Sequence, residues 1–298
     1  MVRMIGLEIT AEFNDEVNPS FPEALVRGGL GYGIRRMMCV NRSAEDCGQC
    51  MIHRKCLYGI MFSESGKTRN GLQVSPYGIH CRVEGGNRLA VNLTLYGPLL
   101  DYYGHLVAAL AEIGRQGIGK GRNNYTIREI ADTFAPGKRF AMEEMEGFRP
   151  TVKEWLPSLA ERRGEQSCSV EFISSTRIER RGELQSSPSF GDIVKSCIMR
   201  YLNLERAFSE GAPELAVPAK GIIQEAAPVR TVNAEFAWQR KDRYSLRQRA
   251  RVSAGGFTGR AVYRGETGMF EKLLAFGSHA GIGKNTSFGC GRFRYRLE

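Results

Sequence analysis

Gly281-Ile-Gly-Lys284 repeats Gly117-Ile-Gly-Lys120, four residues that occur earlier in the same chain. Each copy follows a segment whose apolar residues have helical spacing and precedes a segment in which they alternate. The two copies therefore occupy the same place in two halves of the chain. A match of this kind at one structural address is difficult to attribute to chance, and it predicts a tandem duplication.

The first half has the pattern of a small α+β domain around its copy of the tetrapeptide. Residues 4–13 are apolar at every second position, which is typical of a half-buried strand. The spacing predicts helices at 22–38 and 98–113 and further strands at 77–83, 89–95 and 124–131. The order β-α-β-β-α-β is that of a ferredoxin-like domain.

The second half repeats this plan. It begins with a strand around Val170 and Phe172, followed by a helix that Ser189 caps together with Asp192. The remaining elements are strands at 230–238, 252–263 and 292–297 and a short helix at 267–276. The predicted fold class is α+β with two tandem ferredoxin-like (RRM-like) domains. Domain 1–150 carries a cysteine-rich insertion at 39–56, and domain 165–298 carries a glycine-rich loop at 281–291.

Composition and charge restrict the class of protein. Forty-two Lys and Arg residues against 32 Asp and Glu give the 298-residue chain a formal charge of +10, which favours binding to phosphate polymers. No apolar run approaches the roughly 18 residues of a membrane helix. Glu8 interrupts the N-terminal apolar stretch where a signal peptide would need to be continuous. We expect a soluble cytoplasmic protein without a membrane partner.

The loop 281–291 has the composition of a phosphate-binding turn. Two Gly-x-Gly pairs bring backbone N–H groups close to a ligand, and Lys284 adds a positive charge. A nucleotide-triphosphate loop needs Ser or Thr directly after its lysine, whereas Asn285 stands there. A turn that only packs helix against strand remains the alternative. The predicted RNA-binding glycines are Gly281, Gly283, Gly289 and Gly291.

Arginines flank this loop in the sequence. Residues 239–251 contain six basic residues and one acid, from which we predict RNA contacts by Arg243 and Arg247. The alternative is a solvated strand edge. After the loop, Arg292 begins an alternation of arginine with apolar residues, and a strand places such arginines on one face. A basic face opposite a buried apolar face suits a phosphate backbone, so Arg292 is also predicted to bind RNA.

Four cysteines are clustered in the insertion: Cys39, Cys47, Cys50 and Cys56. Four thiolates can form a closed tetrahedral site, which predicts structural zinc. An iron–sulfur centre is the rival metal, and four free thiols are the other alternative. His53 lies within the cluster and could replace one cysteine.

The loop 281–291 resembles the signature loop of the RAMP superfamily, the RNA-binding proteins of CRISPR systems. Residues 238–248, the glycines at 255, 256 and 259, and residues 278–284 are similar to the C-terminal half of its pre-crRNA-processing endoribonucleases. The cysteine cluster with Leu57-Tyr58 resembles the N-terminal half of one branch. The resemblance implies cleavage of CRISPR repeat RNA by metal-independent attack of the ribose 2′-hydroxyl on the scissile phosphate. No cofactor would be needed for catalysis.

This chemistry requires an acid, a base and a cation. His279, two residues before Gly281, is the predicted acid or base, and Lys284 is predicted to stabilise the phosphate charge. Many members of the family carry a catalytic histidine on or near the first helix, but residues 21–38 contain none. Tyr32 is the predicted substitute, which implies a different catalytic set or weak activity.

Two other functions are compatible with the same sequence. A non-catalytic RAMP-type subunit would bind crRNA through the same loop, and its partners would include other subunits of a CRISPR effector complex. A zinc-containing structural or adaptor protein would instead use its basic face to bind another partner. Binding and cleavage of the repeat RNA distinguish these alternatives from an endoribonuclease.

Overall fold

The structure is a computed structural model that divides into two compact units. It describes residues 1–41, 47–53, 55–63, 74–162, 164–209, 218–245 and 250–298, without the side chains at 48, 63, 243–245 and 250–252. The N-terminal unit comprises Val2–Glu154 and a short segment that begins at Arg206. The C-terminal unit comprises Met1, Trp155–Glu205 and the described residues from 218 onward.

The N-terminal unit is built on an antiparallel sheet with two helices. Its elements are β1 (Val2–Phe13), α1 (Pro22–Met38), β2 (Tyr77–Val83), β3 (Arg88–Tyr96), α2 (Tyr103–Gln116), β4 (Tyr125–Asp132), β5 (Arg139–Phe140) and β6 (Lys153–Trp155). The strand order is β2-β3-β1-β4-β5, with β6 also paired to β1. In the centre, Leu7 lies opposite Leu93 on one side and Asp132 on the other.

One face of this sheet is covered by α1 and α2. The alternate residues of β1, such as Leu7 and Ile9, are buried together with Leu106 and Leu110 of α2. Glycine inside α1 permits close contact between the helices, since a Cβ at Gly33 would lie 3.1 Å from the Ala109 carbonyl oxygen. Gly33 is therefore explained by the packing of α1 against α2, whereas Gly28 of the same helix has open space around it.

The C-terminal unit has the same plan with additional short elements. They are β7 (Gln166–Thr176), β8 (Glu179–Arg180), β9 (Glu183–Leu184), α3 (Phe190–Phe208), α4 (Ala219–Ala226), β10 (Arg230–Gln239), β11 (Asp242–Ser245), β12 (Ala250–Ser253), β13 (Gly256–Gly265), α5 (Glu271–Ala280) and β14 (Phe293–Leu297). The main sheet has the order β10-β13-β7-β14, which matches β2-β3-β1-β4 strand for strand. The predicted fold class, two tandem ferredoxin-like folds, is confirmed.

The repeated tetrapeptide has the same conformation in both units. Gly117 and Gly119 have φ values of +83° and +77°, and Gly281 and Gly283 have +69° and +76°. In each copy the isoleucine N–H donates across the base of the loop, from Ile118 to Asn123 and from Ile282 to Gly291. The two loops therefore share one backbone arrangement and differ in length.

Strand β10 differs from the pattern that the sequence indicates. Val232 and Trp238 belong to one alternating apolar face, yet they are 55% and 46% exposed. The strand lies at the edge of its sheet, where the helices of the unit leave it uncovered. Alternation shows that a strand has an apolar face but does not show that another element covers it.

No helix in the described ranges combines the length and apolar composition needed to cross a membrane.

A capping box begins α3. The backbone N–H and the hydroxyl of Ser189 both donate to the Asp192 carboxylate, at 2.9 and 2.7 Å, and the Asp192 N–H donates to the Ser189 hydroxyl at 3.2 Å. These bonds satisfy N–H groups that the first turn of a helix leaves without partners, as the sequence predicts.

We expect Ser189→Ala to lower the free energy of unfolding by about 1 kcal/mol, because the cap is lost. Chemical denaturation measures this change. Ser187→Ala is the matched control, since Ser187 is exposed and has no hydrogen bond within the described residues. Equal losses in both variants would show that the cap does not stabilise α3.

Candidate functional site

The glycine-rich loop joins α5 to β14 and has an unusual backbone. Five of its residues have a left-handed conformation, with φ from +60° to +81°: Gly281, Gly283, Asn285, Gly289 and Gly291. Four of these five are glycines, the residue for which this region carries no steric penalty. The spacing of glycines in the sequence therefore corresponds to the sequence of turns that the loop makes.

The base of the loop is packed against the rest of the unit. A Cβ at Gly291 would lie 1.8 Å from the Ile282 carbonyl oxygen, and one at Gly283 would lie 2.2 Å from the Arg177 carbonyl oxygen. Backbone N–H groups of Ile282 and Lys284 donate to Gly291 and Arg177 at 2.9 and 3.1 Å. Gly281, Gly289 and Gly291 are buried. These three glycines thus shape the loop, and their predicted contacts with RNA stay a prediction.

The tip of the loop is accessible and rich in donors. Residues 283–288 are exposed or half-buried, and Thr286–Phe288 form one turn of 3₁₀ helix. The backbone N–H groups of Asn285, Thr286 and Ser287 have no acceptor among the described residues. Three adjacent N–H groups with neighbouring hydroxyls suit phosphate oxygens. The loop therefore combines a packed base with a tip that can bind an anion.

Lys284 is held by an acid that sequence reasoning missed. Its Nζ lies 2.5 Å from the Glu179 carboxylate, and both side chains are substantially exposed. Glu179 begins the hairpin β8–β9, whose turn residues Arg181 and Gly182 have φ values of +55° and +85°. Positive φ at both central residues is typical of a two-residue hairpin turn. The Arg181-Gly182 pair was therefore the sequence feature from which this hairpin could have been predicted. An exposed ion pair of this kind is weak enough for a phosphate to replace the carboxylate.

His279 lies in the last turn of α5, immediately before the loop. It is half-buried, and its ring centroid is 5.9 Å from that of Trp155. His279 and Lys284 therefore lie on the two sides of the Gly281–Gly283 turn.

Arg292 has a partner within the protein. Its guanidinium Nη1 donates to the His279 carbonyl oxygen, and its backbone N–H donates to the Ser174 hydroxyl at 2.9 Å. These bonds connect the end of α5 to the start of β14. Arg292 thus supports the backbone of His279. The alternation of arginine and apolar residues along the last strand could not have predicted this contact. Its predicted role in RNA binding stays a prediction.

The other predicted residues lie apart from the loop in the sequence. Tyr32 is 58% exposed on α1 of the N-terminal unit. Arg243 belongs to β11, but its side chain lies outside the described part of the structure, as does Arg247. The predicted roles of these three residues stay predictions.

The four cysteines of the insertion are neighbours but do not form a metal site. Burial raises the pKa of the Cys47 thiol, and the Cys39, Cys56 and Cys50 thiols raise it further, while Arg35 lowers it. The described residues nevertheless contain no group of three or more His, Cys, Asp or Glu side chains that could hold a metal ion. The structure thus gives no support to the predicted zinc. The thiols are close enough to affect one another's pKa, but they are not arranged as ligands of one metal ion.

Comparisons with known proteins cover both units. The family model described as "CRISPR-associated endoribonuclease Cas6" matches residues 170–293, and an N-terminal domain model matches residues 2–149. A Cas6 product complex has a TM-score of 0.58 and 15% identity over 99% of this chain and 100% of its own. Thermus thermophilus Cas6 has a TM-score of 0.55 and 13% identity over 99% of both chains. A Cas6 substrate mimic complex has a TM-score of 0.52 and 18% identity over 99% of both chains. A comparison with curated proteins finds no match.

We expect Gly291→Ala to destabilise the C-terminal unit by more than the roughly 1–2 kcal/mol of a left-handed alanine, because the new methyl group meets the Ile282 carbonyl. Thermal unfolding measures the loss. Gly164→Ala is the control, since Gly164 has φ +88° and open space around it. If Gly291→Ala lost no more stability than Gly164→Ala, the base of the loop would be able to relax around the new methyl group.

Proposed function

We propose that the chain belongs to the Cas6 family of CRISPR-associated endoribonucleases, whose model matches residues 170–293, and that it binds CRISPR repeat RNA and cleaves it to process pre-crRNA. The observation that carries this proposal is the tip of the glycine-rich loop. Three backbone N–H groups without internal acceptors lie beside Lys284, and His279 lies one turn away on α5. This combination provides donors, a cation and a titratable group at one end of one helix.

The proposed reaction is an attack of the ribose 2′-oxygen on the adjacent phosphorus. The new O2′–P bond forms as the P–O5′ bond breaks, giving a 2′,3′-cyclic phosphate on one product and a 5′-hydroxyl on the other. A base removes the proton of the 2′-hydroxyl, and an acid supplies a proton to the leaving 5′-oxygen. Negative charge grows on the non-bridging oxygens, where N–H donors and cations lower the barrier.

His279 is proposed as the acid or base in this reaction. Imidazole exchanges protons near neutral pH, which suits an acid or base in this reaction. Packing of its ring beside Trp155 and the bond from Arg292 to its carbonyl restrict its position. A restricted acid–base group is what catalysis by positioning requires.

Lys284 is proposed to stabilise the charge that develops on the phosphate. Glu179 positions its ammonium group beside the loop before RNA binds, and the phosphate then replaces the carboxylate as its partner. Tyr32, exposed on α1, is proposed to orient the 2′-hydroxyl in place of a histidine on the first helix. Gly283 and the loop N–H groups complete the proposed RNA contacts, with Arg243, Arg247 and Arg292 as further candidates.

Zinc forms no part of this proposal. The described residues present no group that could hold it, and none of the proposed proton transfers passes through a metal. We propose that cleavage is metal-independent and persists in EDTA, because the proposed steps need only proton transfer and charge stabilisation by side chains and backbone N–H groups.

We expect His279→Ala to reduce the rate of repeat RNA cleavage in EDTA by about 100-fold or more, because proton transfer contributes this much to such reactions. Single-turnover kinetics with the RNA of the associated locus measure the rate. His105→Ala is the matched control, since His105 is exposed on α2 of the other unit. Unchanged cleavage would remove His279 from the mechanism. Tight RNA binding without cleavage by the unmodified protein would favour a non-catalytic subunit.

We expect Lys284→Gln to slow cleavage by about 100-fold, as the loss of one donor to the developing charge does elsewhere. The Gly-Ile-Gly-Lys repeat provides a matched control in Lys120→Gln, which removes the equivalent exposed lysine of the first copy. The same kinetics measure both variants. Equal effects would show that Lys284 contributes only its share of the net charge.

A further inference from the structure

The outer face of the C-terminal sheet carries arginines on strands β13 and β14. Alternate residues of these strands, such as Tyr263 and Phe293, are buried beneath α3 and α5. The residues between them point to the opposite side of the sheet. Four exposed arginines lie there and form what we call the arginine face: Arg260, Arg264, Arg294 and Arg296.

Strand register sets the spacing of these arginines. Arg260 and Arg294 both lie opposite Glu171 of the central strand β7, one on each side. Two strand separations place them about 10 Å apart, and residues two apart along β14 are about 7 Å apart. The arginine face therefore extends over about 10 by 14 Å, which is the footprint of a few nucleotides rather than of a duplex.

These arginines have no ion pair among the described residues. The Arg260 Nε donates a hydrogen bond to the Ser169 hydroxyl at 3.0 Å. The same face of the sheet includes Glu171 and Glu235, which are the cross-strand neighbours of Arg260 on β7 and β10. It also includes Arg230, which forms an ion pair with Glu165 at 3.1 Å. Glu298 continues β14 on the same face. Four arginines without an ion pair among the described residues thus face three carboxylates, and the surface keeps a positive excess.

The sheet of the N-terminal unit shows the opposite arrangement. On its outer face Arg88 lies 3.5 Å from Glu12, and Arg128 is bonded to the same carboxylate. The two arginines hold the pKa of Glu12 below its usual value. Arg82 lies 3.8 Å from Glu8 and 2.7 Å from Glu84. Two sheets with the same fold therefore differ in whether their outer arginines are neutralised.

We propose that the arginine face binds the phosphodiester backbone of single-stranded RNA that extends from the glycine-rich loop. The proposal rests on the proposed function, because it assigns a second contact surface to the same RNA. Strand β14 begins two residues after Gly291, so the surface starts where the loop ends. Regularly spaced guanidinium groups without internal partners match a chain of phosphates.

The test compares the salt dependence of RNA affinity in two variants. The first combines R260Q, R264Q, R294Q and R296Q, and the second combines R82Q, R88Q and R128Q on the N-terminal sheet. Affinity for the repeat RNA is measured by fluorescence anisotropy across a salt titration. Each phosphate contact to a single strand contributes about 0.7 to the slope of log affinity against log salt. Circular dichroism confirms that both variants are folded.

We expect the first variant to lose about 2 to 3 units of this slope and at least tenfold in affinity at low salt, while the second stays close to the unmodified protein. Equal losses in both variants would overturn the proposal in favour of a net-charge effect. An unchanged slope in the first would also overturn it, and would leave an acidic protein surface as the partner to test. Failure of the unmodified protein to bind repeat RNA would instead refute the proposed function.

Discussion

The hydrogen bond from the Ile282 N–H to the Gly291 carbonyl closes the base of the glycine-rich loop, and the candidate site depends on it. The two strands of the base approach so closely that a methyl group at Gly291 would overlap the Ile282 carbonyl. Closure directs residues 283–288 outward, where their N–H groups and Lys284 meet solvent. The packing of the loop and its proposed anion binding therefore both follow from one backbone arrangement.

Both units have this arrangement, as the predicted duplication requires, and loop length distinguishes the two copies. In the first copy the Ile118 N–H bonds to Asn123, and the chain enters β4 after a short turn. In the second copy Ile282 bonds to Gly291, and the longer interval accommodates a turn of 3₁₀ helix. In both loops three consecutive N–H groups at or beside the lysine have no acceptor within the described residues: Gly119–Gly121 in the first copy and Asn285–Ser287 in the second. Charge has diverged in parallel, since the outer arginines are paired with carboxylates in the N-terminal sheet and unpaired in the C-terminal one.

The elements around this loop could be derived from the sequence because they rest on local physics. Period-two and helical patterns follow from which side of a strand or helix meets the core, so the order of strands and helices in both units was predictable. The Gly-Ile-Gly-Lys repeat predicted the duplication for a similar reason, because left-handed turns select glycine wherever they occur. Capping of α3 by Ser189 and Asp192 belongs to the same class of short-range information.

Tertiary structure alone decided which partners these residues meet. Val232 and Trp238 alternate like core residues, yet β10 lies at an edge that the helices leave uncovered. Arg292 bonds to the His279 carbonyl, and Lys284 to Glu179 more than 100 residues away. Four cysteines with metal-like spacing lie near one another without forming a metal site. The sequence by itself determined periodicity, turns and net charge, which act over a few residues. Which side chains pair with one another and which strands are covered by helices depend on distances between segments that are remote in the sequence. Those distances are set only once the chain has folded.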